Sequence, residues 1–299
     1  MQGSRLALER LQHRVRRRRD HDKNGSKPAT TLFAMHPIER LRYVARADGA
    51  GPSLLVRETA HALCDLDTDP QSLILACRRI VERHPTMAQL WWLCANVLTA
   101  TEPFARAREL AHVVERDPTP GHLDDDLPDD ASVLIIGWPS SCVKTLVQRG
   151  DATMLVVDSH GEGEALVNRL HDAEVAAELV PFEYLAGVMR SVDAVLIEAL
   201  ACGPDSVLCV GGSRTVVDVA RAHDKAVTLV AGVGTRLPDP LWRGMVDALV
   251  LDDWRAGLDV IDARVFARIV GPTGVSTDFS KSFVAECAAA TELLRRSVI

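Results

Sequence analysis

Short runs of branched apolar residues alternate with helical stretches from Val133 onwards, and this alternation is the strongest constraint on the fold. Five runs have the length and composition of buried parallel strands, and a sixth is a candidate. In order, they are Val133 to Ile136, Met154 to Val157, Val175 to Val180, Ala194 to Ile197, Ala226 to Val230 and the candidate Val246 to Leu251. The helical stretches between them are Ser140 to Gln148, Glu162 to His171, Glu183 to Met189 and Arg214 to His223. Elements in this order require a parallel sheet covered on both faces by right-handed crossovers. Residues 131–299 are therefore predicted to form a Rossmann-like α/β domain.

The residues that follow these strands are candidates for a binding site, because ligands of open parallel sheets bind at the carboxyl ends of the strands. The strand ends hold Gly137 with Trp138, Asp158 to His160, Glu198 to Leu200, and Gly232. The sequence therefore predicts that these residues lie along one edge of the sheet.

A glycine turn within the most apolar part of this region is the best candidate for an anion site. Gly211 and Gly212 permit a tight turn, and Ser213 is predicted as the N-cap of the helix that follows. The amides at such a helix start attract phosphate or carboxylate, and Arg214 adds a possible charge-assisted contact. The alternative, that Gly-Gly-Ser only begins a helix, stays open.

The preceding residues, 35–118, have helical spacing throughout. Pro37, Asp69-Pro70 and Pro85 each stand where a helix can begin. The stretch from Met87 to Leu98 is apolar on nearly every side, and a helix of that kind is buried among its neighbours. We therefore predict an N-terminal helical bundle that precedes the sheet domain.

Residues 119–130 lie between these two regions and are rich in proline and aspartate. The five closely spaced aspartates lack the alternating spacing and the glycine of a calcium loop. The stretch is therefore predicted to be a solvated acidic linker rather than a cation site.

Residues 1–34 differ from the rest in composition. Four consecutive arginines, Arg16 to Arg19, follow an amphipathic fragment and precede a polar run that cannot build a core. We expect a disordered basic arm, and contact with RNA is an alternative function for it. A second alternative is that translation begins at Met35, directly before the first predicted helix.

The composition of the whole chain narrows the class of protein. A net charge of -7 argues against general binding to nucleic acid or to anionic membranes. The sequence has no apolar run near the roughly 20 residues of a membrane span, and no signal-peptide core. Its seven cysteines include no CxxC pair, which is typical of reduced thiols. We therefore expect a cytoplasmic protein without membrane partners, in which RNA contact is confined to the arm.

Several cofactor and catalytic sites are disfavoured by the motifs. Asp158 lies at the spacing of a ribose-binding acid, but the turn at Gly137 has one glycine and is followed by Trp138 and Pro139, which would block a pyrophosphate. No P-loop and no paired-cysteine metal spacing is present, and His160 with its neighbouring glutamates fits a helix start. Cys202 and Cys209 lack a nearby activating histidine and are expected to be structural thiols. We therefore expect neither a cofactor nor a metal, and no P-loop nucleotide site.

Four stretches resemble segments of one known family. They are Arg83 to Trp92, similar to an Arg-Pro-Thr-Ala segment that opens a buried helix; Val157 to Gly161, similar to a Thr-Glu-Ser-Arg-Pro turn; Val195 to Ser213, similar to Val-Gly-Ala-Asp, a loop and Asn-Lys-Ile-Gly-Thr; and Leu258 to Val275, similar to the closing signature. The family groups the alpha, beta and delta regulatory subunits of the translation-initiation guanine-nucleotide exchange factor with the methylthioribose-1-phosphate and ribose-1,5-bisphosphate isomerases. The resemblance covers roughly residues 37 to 279 and implies a helical bundle followed by a Rossmann-like domain.

The sequence departs from this family at the positions that the isomerases use. Where those enzymes have a catalytic cysteine and aspartate, this chain has Gly137 (or its neighbour Trp138) and Leu200, and these residues cannot transfer a proton. The family's Asn-Lys pair is replaced by Cys209-Val210, and two family arginines are replaced by His160 and His84. Glu198 and Cys202 lie close enough in sequence that a shifted loop would restore a catalytic pair.

The resemblance and the departures together lead to one main hypothesis and two alternatives. The chain is predicted to be a non-catalytic regulatory member of this family that binds a phosphorylated metabolite, a nucleotide or a protein partner. The predicted ligand-binding residues are Gly211, Gly212, Ser213, Arg214, Asp158, His160 and His84. The alternatives are a sugar-phosphate aldose-ketose isomerase with a rearranged site and a translation-linked assembly factor whose arm contacts RNA.

The resemblance also implies a homodimer that forms through the sheet domain. Large apolar residues that are exposed tend to mark such contacts. Leu241, Trp242, Met245 and Trp254 are the predicted interface.

Overall fold

A computed structural model describes residues 51–65, 69–249, 251, 255 and 257–294. The predicted basic arm, the helix predicted after Pro37 and the predicted interface residue Trp254 lie outside the described residues.

Ten strands lie in this part of the chain and form two sheets. They are β1 (Ser132–Ile136), β2 (Thr153–Val157), β3 (Ala177–Val180), β4 (Ala194–Glu198), β5 (Ala201–Cys202), β6 (Ser206–Val210), β7 (Val227–Val230), β8 (Leu258–Asp262), β9 (Arg268–Gly271) and β10 (Gly274–Ser276). The larger sheet has the order β10-β9-β7-β4-β1-β2-β3, in which every pair of neighbours is parallel except β9 and β10. This confirms the predicted parallel α/β sheet. The remaining strands form a small antiparallel sheet, β5-β6-β8.

The strand order reverses direction between β1 and β4, which pair with Leu134 opposite Val195. The chain moves outward from β1 to β3 and then returns to the other side of β1 with β4. Open α/β sheets bind ligands at such a reversal, outside the carboxyl ends of the two strands.

Eleven α-helices accompany the strands in the same residues. They are α1 (Pro52–Cys64), α2 (Pro70–Arg83), α3 (Ala88–Thr99), α4 (Pro103–Glu115), α5 (Thr119–Asp126), α6 (Ser140–Arg149), α7 (Gly163–Asp172), α8 (Leu185–Val188), α9 (Ser213–Ala222), α10 (Asp239–Asp247) and α11 (Phe279–Ser282). Helices α1, α2 and α4 begin with proline, whose fixed φ suits the first turn and whose missing N–H costs nothing there. Asp69 caps α2 by accepting a hydrogen bond from the Ser72 amide at 2.9 Å, a side-chain contact typical of N-caps. None of the helices in the described residues is long and apolar enough to cross a lipid bilayer.

The helical region and the sheet region share a hydrophobic core. Helix α3 supplies Leu90, Trp92 and Leu93 to it, and the small sheet, α10 and the C-terminal stretch supply further members: Ala201, Leu208, Leu237, Leu241, Trp242, Met245, Ala290 and Leu293. The prediction that Leu241, Trp242 and Met245 form an exposed interface is therefore wrong. These residues are apolar because they pack against the helical region.

The candidate strand from Val246 to Leu251 is also wrong. Helix α10 extends to Asp247, and the sixth parallel strand of the sheet is β9. The apolar residues Leu241, Met245 and Leu249 recur every four residues and face the shared core. The stretch from Val246 to Leu251 does not include Leu241 and Met245, so this helical period is not visible within it.

The stretch predicted as a solvated linker contains α5, which packs on α6 and buries Leu123 fully. Arg149 organises the aspartates around it. Its guanidinium donates hydrogen bonds to the Asp124 and Pro128 carbonyls, both at 2.9 Å, and to Asp151 at 2.8 Å. Two of the aspartates in this acidic stretch, Asp124 and Asp129, therefore form ion pairs with Arg149 beside a packed helix.

The shared core predicts that the C-terminal stretch stabilises the helical region. Leu293 is only 5% exposed, so truncating it leaves a cavity. Leu293→Ala should therefore lower the free energy of unfolding by about 2–3 kcal/mol. Urea unfolding followed by both tryptophan fluorescence and circular dichroism measures this change.

Val284→Ala is the matched control, since the Val284 side chain is 70% exposed. Truncation of so exposed a side chain should change the free energy of unfolding by less than about 0.5 kcal/mol. Equal effects of the two substitutions would contradict the shared core. So would a separate transition of the helical region that Leu293→Ala leaves unchanged.

Candidate functional site

A cleft opens where β1, β4 and β7 end, at the reversal of strand order, and the helical region forms its other wall. Its larger half has a volume of about 380 Å³ and adjoins a smaller half of about 190 Å³. Both halves are lined by Pro52, Gln89, Ser140, Glu198 and Ala199. The cleft is therefore continuous, and Glu198 stands where its two halves meet.

Glu198, the last residue of β4, is bound to the start of α6. Its Oε2 accepts hydrogen bonds from the amides of Ser141 at 2.8 Å and Cys142 at 3.2 Å. Those amides lie at the positive end of the helix dipole and favour the carboxylate. Burial has the opposite and larger effect, and it raises the pKa of Glu198 to about 7, because a buried site disfavours the charged form. Glu198 is thus a carboxyl group that changes protonation near neutral pH.

Polar side chains are more numerous in the lining of the larger half of the cleft than in that of the smaller half. The polar lining of the larger half comprises Ser53, Gln89, Glu115, Asp117, Ser140, Ser141, Lys144, Glu198 and Thr235. Asp117 is held in place by the Val233 amide and the Thr119 amide, both at 2.9 Å. Gly232 is required beside it, because a Cβ there would lie 2.6 Å from Asp117 Oδ2. These contacts fix the floor of the cleft.

The smaller half is mainly apolar. Its apolar lining comprises Met87, Ile136, Trp138, Pro139, Leu200 and Val210. The Arg169 guanidinium lies over the Trp138 ring at 5.7 Å from its centroid. This cation–π contact restrains the ring. A ligand that fills both halves would need a hydroxylated or charged part and an apolar part.

Two positions at which the isomerases have catalytic groups lie at or beside this cleft. Gly137 is buried directly after β1 with φ +66°, and Val210 lies 3.3 Å from the place of a Cβ there. Leu200 lines the apolar half, and its amide donates to the Leu208 carbonyl at 2.9 Å. Neither position supplies a titratable group.

The alternative catalytic pair of Glu198 and Cys202 is separated by the fold. Cys202 lies in β5, is fully buried and is not among the residues that line the cleft. Burial raises the pKa of its thiol to about 12. Burial also raises the pKa of Cys142 and Cys209, so these three thiols stay protonated at neutral pH.

The glycine turn at Gly211 to Arg214 lies outside the cleft lining. The prediction that Ser213 is the N-cap is wrong, because Gly212 holds that position with φ +92° and α9 begins at Ser213. The Arg214 amide donates to Asp259 Oδ2 at 2.8 Å, and the Gly211 amide donates to the Gly257 carbonyl at 2.7 Å. The chain's own carboxylate therefore occupies this helix start.

The remaining predicted ligand residues have local structural contacts. Asp158 accepts hydrogen bonds from the amides of Gly161 at 3.1 Å and Gly163 at 2.6 Å, and so shapes the turn before α7. His160 has φ +60°, and its Nε2 lies 2.8 Å from the Gly257 carbonyl oxygen. His84 ends α2 and its amide donates to the Ile80 carbonyl at 3.1 Å. None of the three lines the cleft.

Several cleft residues were not predicted as site residues. The start of α6, which follows β1, could have been predicted from the sequence, because helix starts after a first strand are common anion sites. It supplies Ser140, Ser141 and Lys144 to the cleft. Gln89 lies in α3 of the helical region, and Asp117 lies at the end of that region, just before the predicted linker. No sequence motif indicates either residue. In the described residues, no cluster of three or more His, Cys, Asp and Glu side chains could hold a metal ion.

Comparison with known proteins gives matches among solved structures alone. No protein-family model matches the sequence, and no curated protein matches it. The translation initiation factor eIF-2B of Pyrococcus horikoshii OT3 is similar with a TM-score of 0.69 at 16% identity, over 83% of this chain and 98% of that one. The tetrameric eIF2B-beta2-delta2 complex of C. thermophilum gives 0.65 at 14% identity, over 84% and 96%.

An enzyme is similar as well. The 5-methylthioribose 1-phosphate isomerase of Pyrococcus horikoshii OT3 gives a TM-score of 0.59 at 14% identity, over 82% of this chain and 85% of that one. The resemblance predicted from the sequence is thereby confirmed at the level of the fold. This chain has the fold that these initiation-factor subunits and this isomerase share.

Proposed function

We propose that the protein binds a small phosphorylated metabolite, of the sugar-phosphate class, in the cleft and acts as a non-catalytic regulatory protein. The observation that carries this proposal is the cleft at the reversal of strand order, with serine hydroxyls and a lysine on the first turns of α6. Ligands of open parallel sheets bind at this place.

One charge in the lining of the cleft, that of Lys144, supports an anionic end for the ligand. Lys144 forms no ion pair within the described residues, and it lies one turn beyond Ser140 and Ser141 at the positive end of α6. The nearby acids are already bound. Glu115 pairs with Arg57 at 3.3 Å, and Asp117 accepts backbone amides. A phosphate is expected at Lys144, with the sugar hydroxyls toward Gln89 and Glu198.

The non-catalytic part of the proposal is supported by the two positions at which the resembled isomerases have a catalytic cysteine and aspartate. In this chain neither position has a group that can transfer a proton. Gly137 and Leu200 cannot transfer a proton, and the Cys142, Cys202 and Cys209 thiols are buried, which raises their pKa values. The ligand site is proposed at the cleft rather than at Gly211 to Arg214, because these four residues do not line the cleft.

A second candidate function, an aldose-ketose isomerase, is favoured by one observation. Glu198 has a pKa raised to about 7, which is the range in which a carboxyl group can both accept and donate a proton during turnover. In that case Glu198 would act alone as general base and general acid on the bound sugar.

The binding proposal is tested with Lys144→Met, and Lys281→Met is the matched control at an exposed lysine remote from the cleft lining. Ribose 5-phosphate at about 100 times its Kd should stabilise the wild-type protein by about 2.7 kcal/mol in a thermal-shift assay. Lys144→Met should weaken binding about tenfold, since one charge-assisted contact is lost, and should leave binding of unphosphorylated ribose unchanged.

No stabilisation by ribose 5-phosphate, ribose 1-phosphate or ribose 1,5-bisphosphate would contradict the binding proposal, and so would equal losses in both lysine variants. Incubation with the same compounds separates the two functions. Formation of an isomerised product that Glu198→Gln abolishes would replace the non-catalytic proposal with the isomerase.

The raised pKa of Glu198 predicts a pH-dependent stability. Between its ordinary pKa of 4.5 and about 7, the folded chain holds a proton that the unfolded chain releases. This stabilisation is complete below the lower value and is lost as the pH rises through the higher one. Glu198→Gln should therefore match the wild type at about pH 4 and exceed it by on the order of 2 kcal/mol at about pH 8.

Urea unfolding at the two pH values measures this difference. Glu174→Gln, at an exposed glutamate, is the control and should give the same stability as the wild type at both pH values. A difference between Glu198→Gln and wild type that does not change with pH would contradict the assignment.

We also propose that the chain forms a homodimer through its sheet region. A similar fold occurs in a tetrameric complex, and exposed valines lie on outer strands of both sheets, Val260 on β8 and Val275 on β10. Light scattering at about ten micromolar chain should give twice the mass of one chain, since association follows mass action. A mass of one chain would contradict the dimer.

A further inference from the structure

An apolar surface lies at the outer edge of the large sheet. Leu179 of β3 and, directly after it, Phe182 and Tyr184 are exposed, and Tyr184 is 63% exposed. Strand β3 pairs with β2 alone among the described residues. We call Leu179, Phe182 and Tyr184, with the glutamates around them, the edge surface.

The edge surface is strongly acidic. Residues 158–184 contain seven Asp and Glu and a single Arg, and that arginine lies over the Trp138 ring. Glu178 and Glu183 flank the apolar residues in sequence. Glu162 and Glu164 adjoin them in space, because Leu179 Cδ1 lies 2.8 Å from the place of a Cβ on Gly163. Two copies of this surface would repel each other, so its partner must be basic as well as apolar.

The chain itself contains a segment with these properties. We propose that residues 5–19 dock on the edge surface of the same chain. This segment, outside the described residues, has Leu8, Leu11 and Val15 at helical spacing, and it has seven arginines against one glutamate. Residues 1–50 contain 12 Lys and Arg against 5 Asp and Glu, whereas the remaining residues contain 22 against 36.

The connection is long enough for docking within one chain. The first described residue, Gly51, lies at the cleft, where a Cβ on it would be 3.9 Å from Ser140 Oγ. Phe182 and Ile136 both lie against Gly212, so the edge surface borders the apolar half of the cleft. The residues between Arg19 and Gly51 would span roughly 100 Å when extended, and the edge surface borders the same cleft at which Gly51 lies. A tethered segment also has a high effective concentration at a nearby surface.

The interaction has a defined dependence on salt. Exposed ion pairs are individually weak and are screened within about 10 Å at 0.1 M salt. Apolar contact with Phe182 and Tyr184 therefore supplies the part of the binding that persists in salt, and the arginine–glutamate pairs supply the part that salt removes.

Photo-crosslinking in the full chain tests this inference, with p-benzoylphenylalanine in place of Tyr184. Because Tyr184 is exposed, this substitution should not disturb folding. Irradiation should link position 184 to residues 5–19 in a product with the mass of one chain. The same probe in place of Val284, which is also exposed, should give no such link.

Charge reversal supplies the matched comparison. Glu178→Lys combined with Glu183→Lys should reduce the yield of the crosslinked product about fivefold. Raising the salt concentration from about 50 to about 500 mM should have the same effect. Glu82→Lys with Glu102→Lys, at exposed glutamates in the helical region, should leave it unchanged.

Other outcomes would overturn the inference. A crosslink to a different part of the chain, or none, would show that residues 5–19 do not occupy this surface. A product with the mass of two chains would show that the segment docks on a second copy. A crosslink lost after ribonuclease treatment would show that RNA mediates the contact.

Discussion

The pairing of Arg236 with Glu286 joins the three parts of the molecule that form the cleft. Arg236 is 5% exposed, and a buried charge of this kind is strongly destabilising unless it has a partner. The Arg236 amide donates to Glu286 Oε2 at 3.0 Å, and the Glu286 amide donates back to the Arg236 carbonyl at 2.9 Å. The Glu286 carbonyl in turn accepts the Trp92 indole N–H at 3.0 Å. The segment after β7, the C-terminal stretch and α3 are thereby held together, and the first turn of α3 places Gln89 in the wall of the cleft.

The parallel sheet was predictable because each of its first five parallel strands is a short apolar run with its own turn signals. The strand from Ala194 to Glu198 is an example, since branched residues there are buried on both faces. The helical nature of the stretch near Met245 was not predictable in the same way. Its apolar residues pack in one core with residues of α3 and of the C-terminal stretch, which are distant in sequence.

The position of the site was predictable in part. The rule that ligands bind at the carboxyl ends of parallel strands led to Glu198, which the structure places at the centre of the cleft. The same reasoning could not show that the helix start at Ser213 is closed by Asp259, which lies on a strand 45 residues further along the chain from Arg214. Sequence periodicity indicates where a helix begins, but it does not indicate which group already binds its amides.

The central feature of the site is the half-buried Glu198 carboxyl group at the junction of the two halves of the cleft, whose raised pKa places its change of protonation near neutral pH. The most direct measurement is a ¹³C NMR titration of the glutamate side-chain carboxyls in the full chain, with the Glu198 signal assigned by its loss in Glu198→Gln. We expect a midpoint at about pH 7 for that signal. A midpoint near the ordinary glutamate value of 4.5 would show that water reaches the group freely, and it would contradict a cleft that buries this carboxyl group.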